Sequence, residues 1–145
     1  TYHHYGTGNT STNVADLYNK AEAVGERTST IRGWMNDRGH SSTALFLGET
    51  QMFTNWDLDT QNYMSSHRGG VWLALAFRSA SLRRVNGATA IDRFVPWNDA
   101  DSTYGIYDPA NSYGRRAGGH VMRELRNRFS GGNFYTTTVT SSTSN

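Results

Sequence analysis

The most hydrophobic run of the chain, residues 71–77 (VWLALAF), constrains the core more than any other stretch. Its short length and bulky side chains are typical of a central strand that is buried on both faces. No apolar run approaches the ~20 residues that a membrane-spanning helix needs. We therefore predict one globular domain of 145 residues built around this strand, with residues 1–11 and 141–145 flexible.

Turn signals divide much of the rest of the chain into short apolar segments. Residues 36–39 (NDRG) separate residues 31–35 from residues 43–47 (TALFL), and this arrangement predicts a hairpin. Asn86-Gly87 is a dipeptide that two-residue hairpin turns favour, so it predicts a second hairpin. Further strands are predicted at residues 89–95, 104–107 and 134–140.

Two segments have helical rather than strand periodicity. Residues 12–27 begin with Thr12 or Asn13 as a cap and carry their apolar side chains on one side. Residues 111–129 have an apolar residue at every fourth position: Ala117, Val121, Leu125 and Phe129. The order of helix, strands, helix and strand predicts an α+β fold, an antiparallel β-sandwich with two flanking helices.

The second predicted helix concentrates positive charge. Its five arginines and the single acid Glu124 give residues 111–129 a charge of about +4, whereas the whole chain carries +2. Arginine binds phosphates through a planar fork, and aromatic rings stack on sugars or enter a lipid interface. We therefore predict binding of lipid headgroups or glycans by aromatic and basic residues in and before this helix: Trp97, Tyr104, Tyr107, Tyr113, Arg116 and Arg123.

Two other functions fit the same sequence. Asp37-Arg38-Gly39-His40 resembles the Asp-Arg-Gly-His signature of metal-dependent non-specific nucleases. The resemblance implies His40 as the general base and Asn55 or Asn62 as a metal partner. The same four residues also suit a plain polar turn.

The third function is that of a structural or assembly protein. Its arginine-rich helix would meet an acidic protein or a nucleic acid. No cofactor is expected, and a metal is expected only under the nuclease hypothesis.

Short segments spread over residues 22–134 resemble one superfamily. One set comprises EAVG at 22–25, TAL at 43–45, VPW at 95–97 and RRA at 115–117. A second set comprises TA at 89–90, VP at 95–96 and GRR at 114–116. The first set is similar to the sea-anemone pore-forming cytolysins and the second to the fungal fruit-body lectins, which together form the actinoporin-like superfamily.

The resemblance implies a secreted or extracellular toxin or lectin that binds membranes and can assemble as a homo-oligomer on a surface. Met122 and Arg126 fall near the places where the cytolysins have phosphocholine-binding tyrosines. The first predicted helix, for which Gly25 is the predicted end, would reach only about 21 Å over residues 12–25, less than the ~30 Å hydrocarbon core. We therefore predict binding of a lipid or glycan surface without lysis.

Overall fold

The computed structural model describes residues 1–10, 13–94, 106–112 and 114–129. Three helices and seven strands are defined in this part of the chain. Short 3-10 helices lie at Trp56–Leu58 and Pro109–Asn111. The elements are β1 (Tyr2–Thr7), α1 (Val14–Asp37), β2 (Phe46–Phe53), α2 (His67–Leu82), β3 (Arg84–Val85), β4 (Ala88–Thr89), β5 (Arg93–Phe94), β6 (Tyr107–Asp108), β7 (Gly114–Arg115) and α3 (Ala117–Phe129).

The central sheet has three strands in the order β1-β2-β5, and both outer strands run parallel to β2. Parallel neighbours need a crossover, which α1 supplies between β1 and β2 and α2 supplies between β2 and β5. The other described strands form two antiparallel pairs, β3–β4 and β6–β7. The predicted antiparallel β-sandwich with two flanking helices is therefore wrong, because the described chain has three helices and a small parallel sheet.

Helix α1 begins as the sequence predicts but is much longer. The side chain of Asn13 caps it by accepting a hydrogen bond from the backbone N–H of Asp16. The helix then passes through Gly25, the predicted end, and through the whole of the predicted strand at residues 31–35. Gly25 lies where a Cβ would come within 2.6 Å of the Ser79 carbonyl oxygen, so glycine here permits close packing of α1 on α2.

Helix α2 takes in the run that was predicted to be the central strand. Its buried positions recur at helical spacing: Gly69, Gly70, Trp72, Leu73, Ala76, Ser79 and Ala80. Ser66 caps its start by accepting a hydrogen bond from the Arg68 N–H. A short apolar run has no period that separates a buried strand from a buried helix, and this ambiguity caused the error.

The core lies between α1, α2 and the sheet. Leu17 and Val24 of α1, Trp72 and Leu73 of α2, and Leu47 of β2 are fully buried. The indole N–H of Trp72 donates a 2.9 Å hydrogen bond to the Leu17 carbonyl oxygen, which satisfies its one polar group. Both long helices are thus fixed to each other from within the core.

Arg32 is buried within α1, although a strand at residues 31–35 would have placed it in solvent. Its guanidinium donates to the Ala90 carbonyl at 3.0 Å and to the Thr43 carbonyl at 2.7 Å. It also pairs with Asp92 at 2.7 Å, and the same carboxylate oxygen accepts from the Leu45 N–H. Arg32 therefore joins α1 to the segments that lead into β2 and β5.

Other parts of the fold match the sequence more closely. Asn86 and Gly87 have φ angles of 52° and 81° and join β3 to β4, which confirms the predicted two-residue turn. By contrast, no strand was predicted at the start of the chain, where the structure has β1. The predicted strand at residues 134–140 and the flexible segment at 141–145 lie outside the described residues.

Candidate functional site

Half of the predicted ligand-binding residues can be located. Trp97, Tyr104 and Tyr113 lie outside the described residues. Tyr107 is exposed on β6, where it pairs with Arg115 of β7 just before α3. The other two are Arg116, next to the start of α3, and Arg123, within it.

Arg116 is held by the protein itself. Its guanidinium lies 3.5 Å from the Asp108 carboxylate, and its side chain is 17% exposed. Its backbone N–H also donates to the Ile106 carbonyl at 2.9 Å. Arg116 therefore secures the start of α3 to the β6–β7 pair, and the arginines farther along the helix are better placed to meet a ligand.

Helix α3 packs against the rest of the protein through glycines. A Cβ on Gly118 would lie 2.9 Å from Leu73 Cδ1, and one on Gly119 would overlap the Ile106 carbonyl oxygen. From the other side, a Cβ on Gly70 of α2 would lie 3.1 Å from the Ala117 backbone. From the sequence alone, Gly118 and Gly119 each lower helix propensity by roughly 1 kcal/mol relative to alanine. In the fold, Gly118 brings α3 against Leu73 of α2, and Gly119 brings it against Ile106, just before β6.

This attachment leaves the predicted apolar stripe of α3 only half-buried. Ala117, Val121 and Leu125 line a groove of about 470 Å³ between α3 and the start of α2. The side chain of Phe129, the fourth member of the stripe, lies outside the described part of the structure. Three polar residues border the groove: His67, His120 and Glu124.

The charges beside the groove are partly paired. Glu124 lies 3.0 Å from Arg128 and 3.1 Å from Arg123, and both are ion pairs at the helix surface. Hydrogen bonds from Arg128 and then Arg123 lower the pKa of Glu124, so its carboxylate stays charged in mildly acidic solution. Arg126 is exposed on the same helix. The surface around the groove thus keeps a net positive charge.

The nuclease-like motif forms the end of a helix. Asp37 is the last residue of α1, and Gly39 has a φ of 80°. The N–H groups of Gly39 and His40 donate to carbonyls of the last helical turn, as in a Schellman motif. The predicted hairpin turn is therefore a helix cap, with His40 exposed in the loop beyond it.

The proposed metal partners lie elsewhere in the chain. Asn55 and Asn62 follow β2, and Asn62 adopts a left-handed turn conformation with a φ of 53°. Among the residues that the structure describes, no group of three histidine, aspartate or glutamate side chains is arranged to hold a metal ion.

A second polar site, absent from the sequence predictions, lies on β1 and β2. The Tyr5 hydroxyl donates a 2.5 Å hydrogen bond to Oε2 of Glu49. Nδ1 of His3 lies 3.1 Å from the same oxygen, and half of the His3 side chain and a quarter of the Glu49 side chain are exposed. The carboxylate is held in position from two sides and still reaches solvent.

The backbone explains why these side chains meet. His3 pairs with Glu49 and Tyr2 pairs with Leu47, so Gly48 is an extra residue of β2 between the two pairs. His3 and Tyr5 share a face because alternate residues of a strand point to the same side. Sequence reasoning missed this cluster, since Glu49 is 44 residues from Tyr5 and nothing local links them.

His4 points to the opposite face, toward α1. Its pKa is lowered from the ordinary histidine value, first because burial disfavours the charged ring and second because Arg27 is positively charged. Beside it, the Tyr2 hydroxyl hydrogen-bonds to the Thr28 hydroxyl of α1. This face of β1 therefore serves packing, whereas His3 and Glu49 on the other face stay partly exposed.

Comparison with known proteins identifies no relative. No family model, curated protein sequence or solved structure matches the chain. The resemblance to actinoporin-like proteins stays a prediction. Within the described residues, no helix is both long enough and apolar enough to cross a membrane.

Proposed function

We propose that the protein binds anionic lipid surfaces through α3. The observation that supports this proposal is the half-buried stripe of Ala117, Val121 and Leu125 in a groove beside exposed arginines. Such a helix offers apolar contact and positive charge along one element, which is the combination that interfacial helices use. Basic residues near an anionic membrane contribute roughly 1 kcal/mol each.

The protein docks on the surface without inserting a helix. Helix α1, the segment that a cytolysin would release, has Leu17, Ala21 and Val24 fully buried in the core. Releasing it would expose all three together with the hydrogen bond between Trp72 and Leu17. Each buried side chain of this kind contributes about 1–3 kcal/mol. Binding should therefore release no dye from loaded vesicles.

The experiment is co-sedimentation with vesicles of phosphatidylcholine alone or mixed with phosphatidylserine. We expect binding to the mixed vesicles at low salt and weaker binding as salt rises, because exposed charges are screened. Replacing Arg123 and Arg126 with glutamine should weaken binding about 30-fold, at roughly 1 kcal/mol per arginine. These two arginines are preferred to Arg116 because both are exposed, whereas the Arg116 side chain is only 17% exposed.

A matched control removes the same charge elsewhere. Arg38 follows α1, Arg78 lies on α2, and both are exposed, so glutamine at these positions lowers the net charge equally. The proposal requires the control variant to bind almost as well as the original protein. Equal losses in both variants would indicate a response to net charge alone, and no binding to mixed vesicles at low salt would contradict the proposal.

The alternatives predict other outcomes. An acidic protein partner would bind α3 without lipid. Binding to such a partner and not to vesicles would favour the assembly role. Magnesium-dependent cleavage of plasmid DNA that is abolished by His40→Ala would favour the nuclease. We expect both the original protein and the His40→Ala variant to leave the plasmid intact, because the Asp37–His40 segment forms the C-terminal cap of α1.

A further inference from the structure

Two histidines line the groove beside α3, one on each of the helices that form it. His67 is the first residue of α2, His120 is the fourth residue of α3, and both side chains are exposed. The two helices approach each other where a Cβ on Gly70 would lie 3.1 Å from the Ala117 backbone. Each histidine lies three residues, about one helical turn, from that approach. The groove therefore has an imidazole on both of its helices.

The charge of these imidazoles depends on pH. Histidine is the side chain that gains a positive charge between pH 8 and pH 5, whereas arginine stays charged throughout. Glu124 lines the same groove, and hydrogen bonds from Arg128 and then Arg123 lower its pKa, so it stays ionised at pH 5.5. A fall from pH 7.5 to pH 5.5 therefore makes the groove more positive at its histidines.

Other charged groups surround the groove and keep their charge in this pH range. Carboxylates ordinarily titrate near pH 4, well below the range in which histidine does. The charged side chains on the elements around the groove, apart from Glu124 and its two arginine partners, are Arg68 of α2, Asp108 and Arg115 of the β6–β7 pair, Arg116, and Arg126 of α3. Arg116 pairs with Asp108, and the Arg68 guanidinium lies over the Tyr63 ring.

Added positive charge at this position favours an anionic surface. Each basic residue near an anionic membrane strengthens binding about fivefold, so two imidazolium groups strengthen it about 30-fold. The start of α2, where His67 lies, adds the partial positive charge of a helix N-terminus. Both contributions act beside the half-buried Val121 and Leu125, where the lipid would make its apolar contact.

We propose that protonation of His67 and His120 regulates the binding of anionic lipid by α3, with weak binding at pH 7.5 and tight binding at pH 5.5. This inference rests on the proposed lipid-binding function and adds its dependence on pH. At the higher pH the arginines alone attract the surface. At the lower pH the two imidazolium groups attract it as well, from both helices of the groove.

The experiment is co-sedimentation at low salt with vesicles of phosphatidylcholine mixed with phosphatidylglycerol, at pH 7.5 and pH 5.5. The phosphodiester of phosphatidylglycerol keeps its single charge over this range, so a change in binding arises from the protein. The measured quantity is the ratio of the dissociation constants at the two pH values. We expect a ratio of about 30 for the original protein.

Matched variants assign the pH dependence to particular histidines. The double variant His67→Gln/His120→Gln should have a ratio of at most about 3, whatever its affinity at pH 7.5. The control His3→Gln/His40→Gln removes two titrating groups that do not line the groove, so it should keep a ratio of about 30. His120→Arg fixes one charge, so it should bind about fivefold tighter than the original protein at pH 7.5 and have a ratio of about 5.

The outcomes separate this inference from the lipid proposal. Binding at pH 7.5 that does not strengthen at pH 5.5 overturns the inference and leaves lipid binding by α3 intact. Equal ratios in the double variant and its control also overturn it, because the protein would then respond to net charge alone. No binding at either pH overturns both proposals. If the double variant loses its helical circular dichroism spectrum, the ratio for His120→Arg decides the question, and a ratio still near 30 overturns the inference.

Discussion

Helices α1 and α3 both carry apolar residues at helical spacing, but their surroundings differ. On α1, Leu17, Ala21 and Val24 have no exposed surface, because α2 and the sheet close over them. On α3, Val121 and Leu125 are only half-buried and line a groove. Helix α3 instead approaches its neighbours closely at its glycines, since Gly118 faces the Leu73 side chain and Gly119 faces the Ile106 carbonyl oxygen.

The difference separates two kinds of information in an amphipathic helix. Spacing determines which side chains share a face, because that follows from 3.6 residues per turn. Neighbouring elements determine whether the face is covered. For α3 the backbone at Gly118 and Gly119 makes the contact with Leu73 and Ile106, so the apolar side chains beside it stay available. An available apolar face next to arginines is what the lipid proposal rests on.

The most direct test of the difference in burial between α1 and α3 is the same leucine-to-alanine substitution on each helix. Leu17→Ala removes a fully buried side chain and should lower the free energy of unfolding by about 3 kcal/mol, because buried apolar contacts are lost and a cavity is left behind. Leu125→Ala should lower it by at most about 1 kcal/mol, because that side chain is already partly in solvent. Urea denaturation measures both. Equal losses would mean that the face of α3 is as covered as that of α1.

Glycine substitutions sharpen the comparison at the backbone. Gly119→Ala places a methyl group against the Ile106 carbonyl and should destabilise the protein by about 2 kcal/mol. Gly33→Ala on α1 meets nothing within 4 Å and should stabilise it by about 0.5–1 kcal/mol through better helix propensity. Hydrogen exchange should show that Gly119→Ala lowers the protection of the backbone amides within α3. Unchanged protection there would contradict attachment through the glycines.

The smallest expected effect concerns pH and the packed face of β1. The folded-state pKa of His4 lies below its unfolded value of 6.5, so near and below that pH the unfolded chain binds more protons. Stability from this group is present above pH 6.5 and is lost as the pH falls through the folded-state pKa. His4→Gln should reduce the slope of unfolding free energy against pH in that window. An identical slope in both proteins would remove His4 as the cause.

The sequence contained the local features of the fold and lacked the long-range ones. The Asn13 cap, the Asn86-Gly87 turn and the basic helix were predictable, because each depends on residues a few positions apart. The parallel sheet was not, since it requires β1 to find β2 across the whole of α1. The run at 71–77 is helical, with Trp72, Leu73 and Ala76 buried on one face of α2, and the elements that cover this face lie outside the run.

The candidate sites divide in the same way. The members of the α3 stripe were predictable from spacing, whereas their exposure depends on how Gly70 and Gly118 pack. The cluster at Glu49 was out of reach, because strand register brings His3 and Glu49 together. The burial of Arg32 was unpredictable for a related reason. A charged side chain is expected in solvent unless its buried partners are known, and one partner of Arg32, the Ala90 carbonyl, lies 58 residues away.

The way Arg32 holds the loop after α1 makes that loop suitable for carrying foreign peptide sequence. The guanidinium donates a hydrogen bond to the main-chain carbonyl of Thr43, a group that every amino acid possesses. At the other end of the loop, the turn at Gly39 caps the helix. Between these anchors, Ser41 and Ser42 are exposed. A peptide inserted between the two serines would be displayed from two fixed ends, with its own side chains free to be chosen.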